Sequence, residues 1–314
     1  MSGFNVVTFL NNHDTRDADH VVLNDPILGY TYLLTNNQVG LPSVFYPDYY
    51  TMPDYKPFPG YNIPGMKKEI NELWNIHKKY IFRADQIDYL SRFNTPYAQN
   101  FNSGSANKTL LYQVMSEAPG SRDLLVAINY ADNTLDVDHG INTAQGKVFV
   151  NLLDNSASIY TSVDANGIAN IKVPAKSYSV WIEGVTIEAK IFLQGAYNTQ
   201  THLMNTTLRD NNLLPLISPY TKDQRTVENI DESIVDWVLV ELYYTLNDEA
   251  IVSKSVFVKN NGMLCLEDGS TKIPLDAPSD DYYLVIRHRN HLAVASKEKI
   301  SVSAATPIYD FTTD

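Results

Sequence analysis

The sequence predicts an α/β segment followed by two all-β, sandwich-like domains, and three observations carry that reading. Over residues 1 to about 83, apolar residues recur with helical spacing between two short strand-like runs; from Arg83 the period falls to two; near Gly184 a second series of alternating runs begins. With 314 residues and 44% hydrophobic content the chain has material for two or three ordinary cores, and 19% charged residues is too few for extended disorder.

The elements follow in order. Val6-Val7-Thr8-Phe9-Leu10 is an apolar, β-rich run that ends in Asn11-Asn12-His13-Asp14. Asn and Asp close strands as turn residues, but adjacent polar groups at the end of a strand are also how a parallel barrel delivers chemistry to its mouth. Ile27 to Leu34 reads as a helix ended by Thr35-Asn36-Asn37, and Gly40-Leu41-Pro42-Ser43-Val44-Phe45-Tyr46 as the next strand, centred on 43–46. From Pro47 to Gly65 the prolines at 47, 53, 57, 59 and 64 predict a loop without helix. Met66 to Tyr80 carries Met66, Ile70, Leu73, Ile76 and Tyr80 on one helical stripe, on which Trp74 and His77 are packing residues.

Four short β-rich runs come next: Thr109–Val114, Leu124–Tyr130, Val148–Leu152 and Ser179–Ile182. Asp164-Ala165-Asn166-Gly167 predicts a hairpin turn in which Asn166 and Gly167 supply positive φ. After Gly184 the runs are Glu188–Leu193, Asp236–Leu242, Lys254–Val258 and Tyr282–Arg287, and residues 284–295 predict a tight hairpin turning near Arg289-Asn290. His288 and His291 flank that turn without a third ligand nearby, so the pattern predicts a solvated strand end and no metal site.

Composition narrows the function. A formal net charge of −12, with no Lys/Arg cluster beyond pairs such as Lys67-Lys68 and Lys78-Lys79, argues against nucleic acid as a partner. The single cysteine, Cys265, excludes an internal disulfide and a zinc-thiolate cluster and reads as a small buried hydrophobe. No run approaches the roughly 18 apolar residues of a membrane span, and residues 1–20 lack the pattern of a signal peptide.

Phe9-Leu10-Asn11-Asn12-His13-Asp14 resembles the fourth conserved region of the α-amylase family (glycoside hydrolase family 13), Phe-x-x-Asn-His-Asp at the end of the seventh barrel strand. About thirty residues on, Gly40 to Tyr46 resembles the family's eighth strand, with Asp48-Tyr49-Tyr50 following as it often does there. The resemblance implies that residues 1–83 are the last two strands and helices of a (β/α)8 barrel. Residues 84–184 would be the β-sandwich that follows it, closed by an aromatic strand like Ser177-Tyr178-Ser179-Val180-Trp181, and residues 185–314 an accessory β-rich domain.

The same resemblance implies an enzyme acting on α-glucans, extracellular or at the cell surface. Asp14 would be the catalytic carboxylate that holds the sugar at the cleavage point and stabilises the transition state, His13 would bind the same sugar, and Asn12 would orient the pair. Retaining hydrolysis needs a nucleophile and a general acid about 5–5.5 Å apart. The family's Gly-x-Arg-x-Asp nucleophile segment and its general-acid segment are absent from this sequence. A full barrel takes eight strands and about 250 residues. The expectation is therefore a piece of a larger enzyme, cut at both ends and inactive alone. Calcium sites are common in the family, but none is assignable here. The alternative is a non-catalytic carbohydrate-binding or surface spacer protein, for which the 21 tyrosines offer stacking surfaces, although strands are enriched in aromatics anyway.

Overall fold

The structure, a computed structural model, describes residues 5–14, 20–52, 64–101, 106–143, 145–153, 155 and 157–313. The chain divides into two units, Met1–Glu183 and Gly184–Asp314.

The first unit opens with strand β1 (Val7–Phe9), helix α1 (Pro26–Leu34) and strand β2 (Leu41–Ser43). β1 and β2 pair in parallel, Val7 with Leu41 and Phe9 with Ser43, the sense expected for strands joined through a helix. The second strand thus lies earlier than the 43–46 expected, because Tyr46–Tyr49 forms a short helix, α2. Pro47 sits inside that helix, against the expectation of a helix-free loop; its first turn tolerates a residue without an N–H. The remaining prolines assigned to that loop, apart from Pro64, lie outside the described residues. Helix α3 (Lys67–Ile76) buries Ile70, Leu73 and Ile76, the stripe read from the sequence. It does not continue as a regular helix to Tyr80. Residues His77–Ile81 make a π-helical turn closed by Phe82 N–H donating to His77 O at 2.9 Å, and the wider turn lets both His77 and Ile81 face inward.

The β portion comprises β3 (Gln86–Tyr89), β4 (Thr109–Met115), β5 (Leu124–Asn129), β6 (Leu135–Gly140), β7 (Val148–Asn151), β8 (Tyr160–Ser162), β9 (Ile168–Val173) and β10 (Ser177–Ile187). One sheet runs β3-β4-β5-β10-β7-β8, and β6 with β9 forms an antiparallel pair over it. Leu111, Leu125, Phe149 and Trp181 face Leu135, Val137, Ile171 and Val173 across this sandwich. The other face of the sheet, Tyr112, Val114, Val126, Ile128 and Val180, shares a second core with Leu28, Leu34, Ile70 and Leu73 of α1 and α3. This explains why β5, covered on both sides, is buried at every position and apolar except for its terminal Asn129, whereas β6 alternates buried and exposed residues over Leu135–Asp138.

The turn at residues 164–167 is present, closed by Gly167 N–H on Asp164 O at 3.1 Å. Of the two residues expected at positive φ only Gly167 takes it. The turn also joins strands of different sheets, since β8 pairs with β7 and β9 with β6.

The second unit contains the end of β10 paired with β17 (Ile273–Leu275), and the strands β11 (Ala189–Lys190), β12 (Tyr197–Asn198), β13 (Leu203–Met204), β14 (Ile234–Tyr243), β15 (Val252–Lys259), β16 (Leu264–Cys265), β18 (Asp280–His288), β19 (His291–Ala295), β20 (Ile300–Val302) and β21 (Tyr309–Asp310). Its main sheet runs β16-β15-β14-β18-β19 and is antiparallel. All ten residues of β14 are buried. Trp237 and Phe257 pack in a tilted arrangement with centroids 3.9 Å apart on one face, where Cys265 is also buried. The β18 and β19 hairpin turns at Arg289-Asn290 as expected, while the run at Glu188–Leu193 narrows to Ala189–Lys190.

Candidate functional site

The site is built at the C-terminal ends of β1 and β2. Gly40 enters β2 at φ +118°, and a Cβ there would lie 2.6 Å from Val6 O and 2.8 Å from Thr8 Oγ1, so only glycine lets the two strands approach. Leu41 N–H donates to Val6 O at 2.8 Å and the Thr8 hydroxyl donates to Val39 O, which fixes the start of the pair.

Just past the strands, a buried polar hub holds their ends together. Asn11 Nδ2 donates to Asp48 Oδ2 at 2.9 Å and to Val22 O at 3.3 Å, and its Oδ1 accepts Val22 N–H at 3.0 Å. The Tyr30 hydroxyl donates to the same Asp48 oxygen at 2.7 Å and accepts Phe45 N–H at 3.2 Å. Asp48 O accepts Met66 N–H at 2.8 Å. The segment after β1 and helix α1 therefore converge on the Asp48 carboxylate, whose burial is tolerated because it is hydrogen-bonded, and the start of α3 bonds the backbone carbonyl of the same residue. Asn11, Tyr30 and Asp48 were missed as site residues. The available signal was a second asparagine beside Asn12 and an acidic residue directly after an apolar strand.

Beyond the hub, Asn12 is half-buried while the His13 and Asp14 side chains are 75% and 74% exposed. Asn12 Oδ1 accepts Asp14 N–H at 3.0 Å, a local turn that sets the direction of Asp14. His13 Nε2 lies 3.4 Å from Asp14 Oδ1. So exposed a pair adds little stability; what it provides is a carboxylate and an imidazole side by side, able to accept and donate hydrogen bonds to a polyhydroxylated ligand. Tyr46, which follows β2, is 60% exposed, and parallel pairing puts it beyond the same end of the strands.

Other expected residues fall elsewhere. His77 packs as expected: its Nδ1 lies 2.8 Å from Leu34 O, its ring stacks on Trp74 at 5.5 Å, and burial lowers its pKa below the usual histidine value. Burial pushes the Cys265 thiol up to about 11, so it is an inert core group. His288 is not a solvated strand end. It is buried and bonded to Asp236, a partner 52 residues away that local spacing could not reveal. Among the described residues no group of three or more His, Cys, Asp or Glu side chains is arranged to hold a metal ion together, and no helix is long and apolar enough to cross a membrane.

No family model matches the chain. A glucan 1,4-α-maltohexaosidase from Bacillus sp. (strain 707) is 28% identical over 183 residues, 56% of this chain and 30% of that enzyme. An α-amylase from Geobacillus stearothermophilus is 31% identical over 194 residues, 59% of this chain and 30% of the relative. The match thus spans about 30% of the length of these relatives. The solved structure of a maltogenic α-amylase from Thermotoga neapolitana, 18% identical, covers 56% of this chain and 40% of its own with a TM-score of 0.39. Over somewhat more than half of its length the chain is thus similar by sequence to a part of two enzymes of the α-amylase family of glycoside hydrolases.

Proposed function

We propose that the chain is part of a glycosidase acting on α-glucans such as starch and maltooligosaccharides, and that it contributes Asp14, His13 and Asn12 to the cleavage site. In this reading residues 1–83 are the last two strands and helices of the catalytic barrel, residues 84–184 the sandwich behind it and residues 185–314 an accessory domain. The complete protein works outside the cell or at its surface, where polymeric glucan is met. The observation that supports it is the parallel pair β1 and β2 with the His13-Asp14 pair exposed beyond its C-terminal end, where barrel enzymes carry their chemistry.

The mechanism follows from what these groups can do. Asp14 accepts hydroxyl protons of the sugar at the scissile bond and places negative charge beside the cationic, oxocarbenium-like transition state. His13 hydrogen-bonds the same sugar, and Asn12 fixes the turn that aims the carboxylate. These contacts strengthen as the ring flattens, so they lower the barrier more than they tighten substrate binding. The nucleophile and general acid belong to other segments of the complete enzyme, and this chain alone does not turn over glucan.

A chimera tests the assignment: residues 5–183 replace the matching part of the G. stearothermophilus α-amylase, and release of reducing sugar from starch is measured. Activity well above background is expected. A folded chimera that binds maltohexaose and hydrolyses nothing counts against the assignment and favours a non-catalytic carbohydrate-binding role.

A further inference from the structure

A buried carboxylate, two histidines and a cavity meet in the second unit. Asp236 on β14 follows a register break after Ile234, and His288 ends β18 just after another at Ile286; such breaks re-aim side chains. Asp236 is 1% and His288 9% exposed. Asp236 Oδ2 accepts from Arg289 Nη2 at 2.8 Å and lies 3.1 Å from His288 Nε2. Facing a carboxylate, Nε2 carries the ring proton, and His288 Nδ1 is left as a lone pair. His291, the ladder partner of His288 across the turn, brings its own Nδ1 to 2.7 Å from that lone pair. A cavity of about 210 Å³ opens on the two rings, with Asn205, Thr207 and Asn290 among its polar walls.

Two imidazole lone pairs cannot face each other at this distance unless something electropositive sits between them. In the hairpin as it stands this is the proton on His291 Nδ1, donated to His288, while Asn290 N–H also reaches His288 Nδ1 at 3.2 Å. The same layout, an imidazole whose second N–H is held by a carboxylate, is how proteins orient metal-ligating histidines.

We propose that His288 and His291 bind a divalent transition-metal ion of the class that prefers imidazole, Zn²⁺, Ni²⁺ or Cu²⁺, through their Nδ1 atoms, with Asp236 as the positioning residue behind His288. The ion takes the place of the shared proton: the His291 ring proton leaves Nδ1 and another adds at Nε2 from solvent, so neutral rings release no net proton. Metal–nitrogen bonds of about 2.0–2.1 Å require the two nitrogens to part to roughly 3–3.4 Å. His291 is exposed on the hairpin and can make that shift. The protein supplies two nitrogens, and water or the cavity's side-chain oxygens complete the shell. Arg289 already neutralises Asp236, so no net negative charge attracts the ion and binding is exchangeable.

Calorimetric titration of the full chain with Zn²⁺ in a non-coordinating buffer tests this. One ion per chain is expected at this site, with affinity falling at least tenfold in His291→Ala, whose exposed side chain is dispensable for folding. Asp236→Asn, which keeps both ligands, should weaken binding about 10–100-fold, with unchanged far-UV circular dichroism confirming the fold. In ¹⁵N spectra the His291 proton should sit on Nδ1 without metal and on Nε2 with it. Absence of binding, or affinity undiminished in His291→Ala, overturns the proposal.

Discussion

Asp48 shows how much of the site depends on a residue that does no chemistry. Its Oδ2 takes hydrogen bonds from Asn11 and Tyr30, tying the ends of two parallel strands to the helix between them. Asn11→Ala removes a donor to that buried carboxylate and the side-chain acceptor of Val22 N–H. A buried group left unsatisfied costs about 1–3 kcal/mol, so calorimetry should show that loss in the first unit with the transition of the second unchanged. That His13 and Asp14 lie side by side at the end of the first strand could be read from the sequence because their pattern is contiguous. The Asn11 to Asp48 bond was not, because it closes over 37 positions, and local pattern carries no information on which distant polar residues meet. A second residue-scale prediction concerns acid. Burial lowers the pKa of both His77 and His139 in the folded chain, so the unfolded chain takes up protons first as pH falls. Their contribution to stability is complete above the ordinary histidine value of 6.5 and is lost as pH drops below it. Urea midpoints measured from pH 7.5 to 5 should fall over that window, and His77→Gln should flatten the slope.

At the scale of elements, the existence of strands and helices followed from periodicity, and the departures have local causes. The π-helical turn at His77–Ile81 leaves no mark on a stripe that continues through it. Tyr46–Tyr49 is helical because a proline is harmless in a first turn. The parallel pairing of β1 and β2 could be read because the helix between them demands a crossover. It is also fragile at one point. Gly40→Ala would place a methyl group 2.6 Å from Val6 O at a φ that L residues avoid. A loss of about 2 kcal/mol or more is expected in equilibrium urea unfolding, whereas Gly120→Ala, where a Cβ meets nothing within 4 Å, carries only the strain of its positive φ and should cost less.

For the whole molecule, the change of hydrophobic period separated helical from all-β sequence, but it did not show that α1 and α3 share one core with the sheet behind them. That shared core is what gives the β1 and β2 end of the unit a rigid support. The second unit rests instead on a fully buried central strand in which Asp236 and Glu241 are ion-paired. Burial pushes the Glu241 pKa up, but hydrogen bonds from Lys222, Arg287 and Tyr243 outweigh it and the net shift is downward. Its contribution is therefore present above the usual carboxylate range and lost in stronger acid. The purified chain should release no reducing sugar from maltohexaose, since losing a nucleophile or a general acid each removes orders of magnitude in rate; sustained release that Asp14→Asn abolishes would overturn this.

If Asp14 serves the transition state of glucan cleavage, steady-state kinetics of Asp14→Asn in the completed chimera will show it. The expected result is a kcat lowered by roughly a hundredfold or more with KM little changed and the thermal transition of the fold retained. A kcat within a few-fold of the parent chimera, in a protein that folds normally, would contradict it.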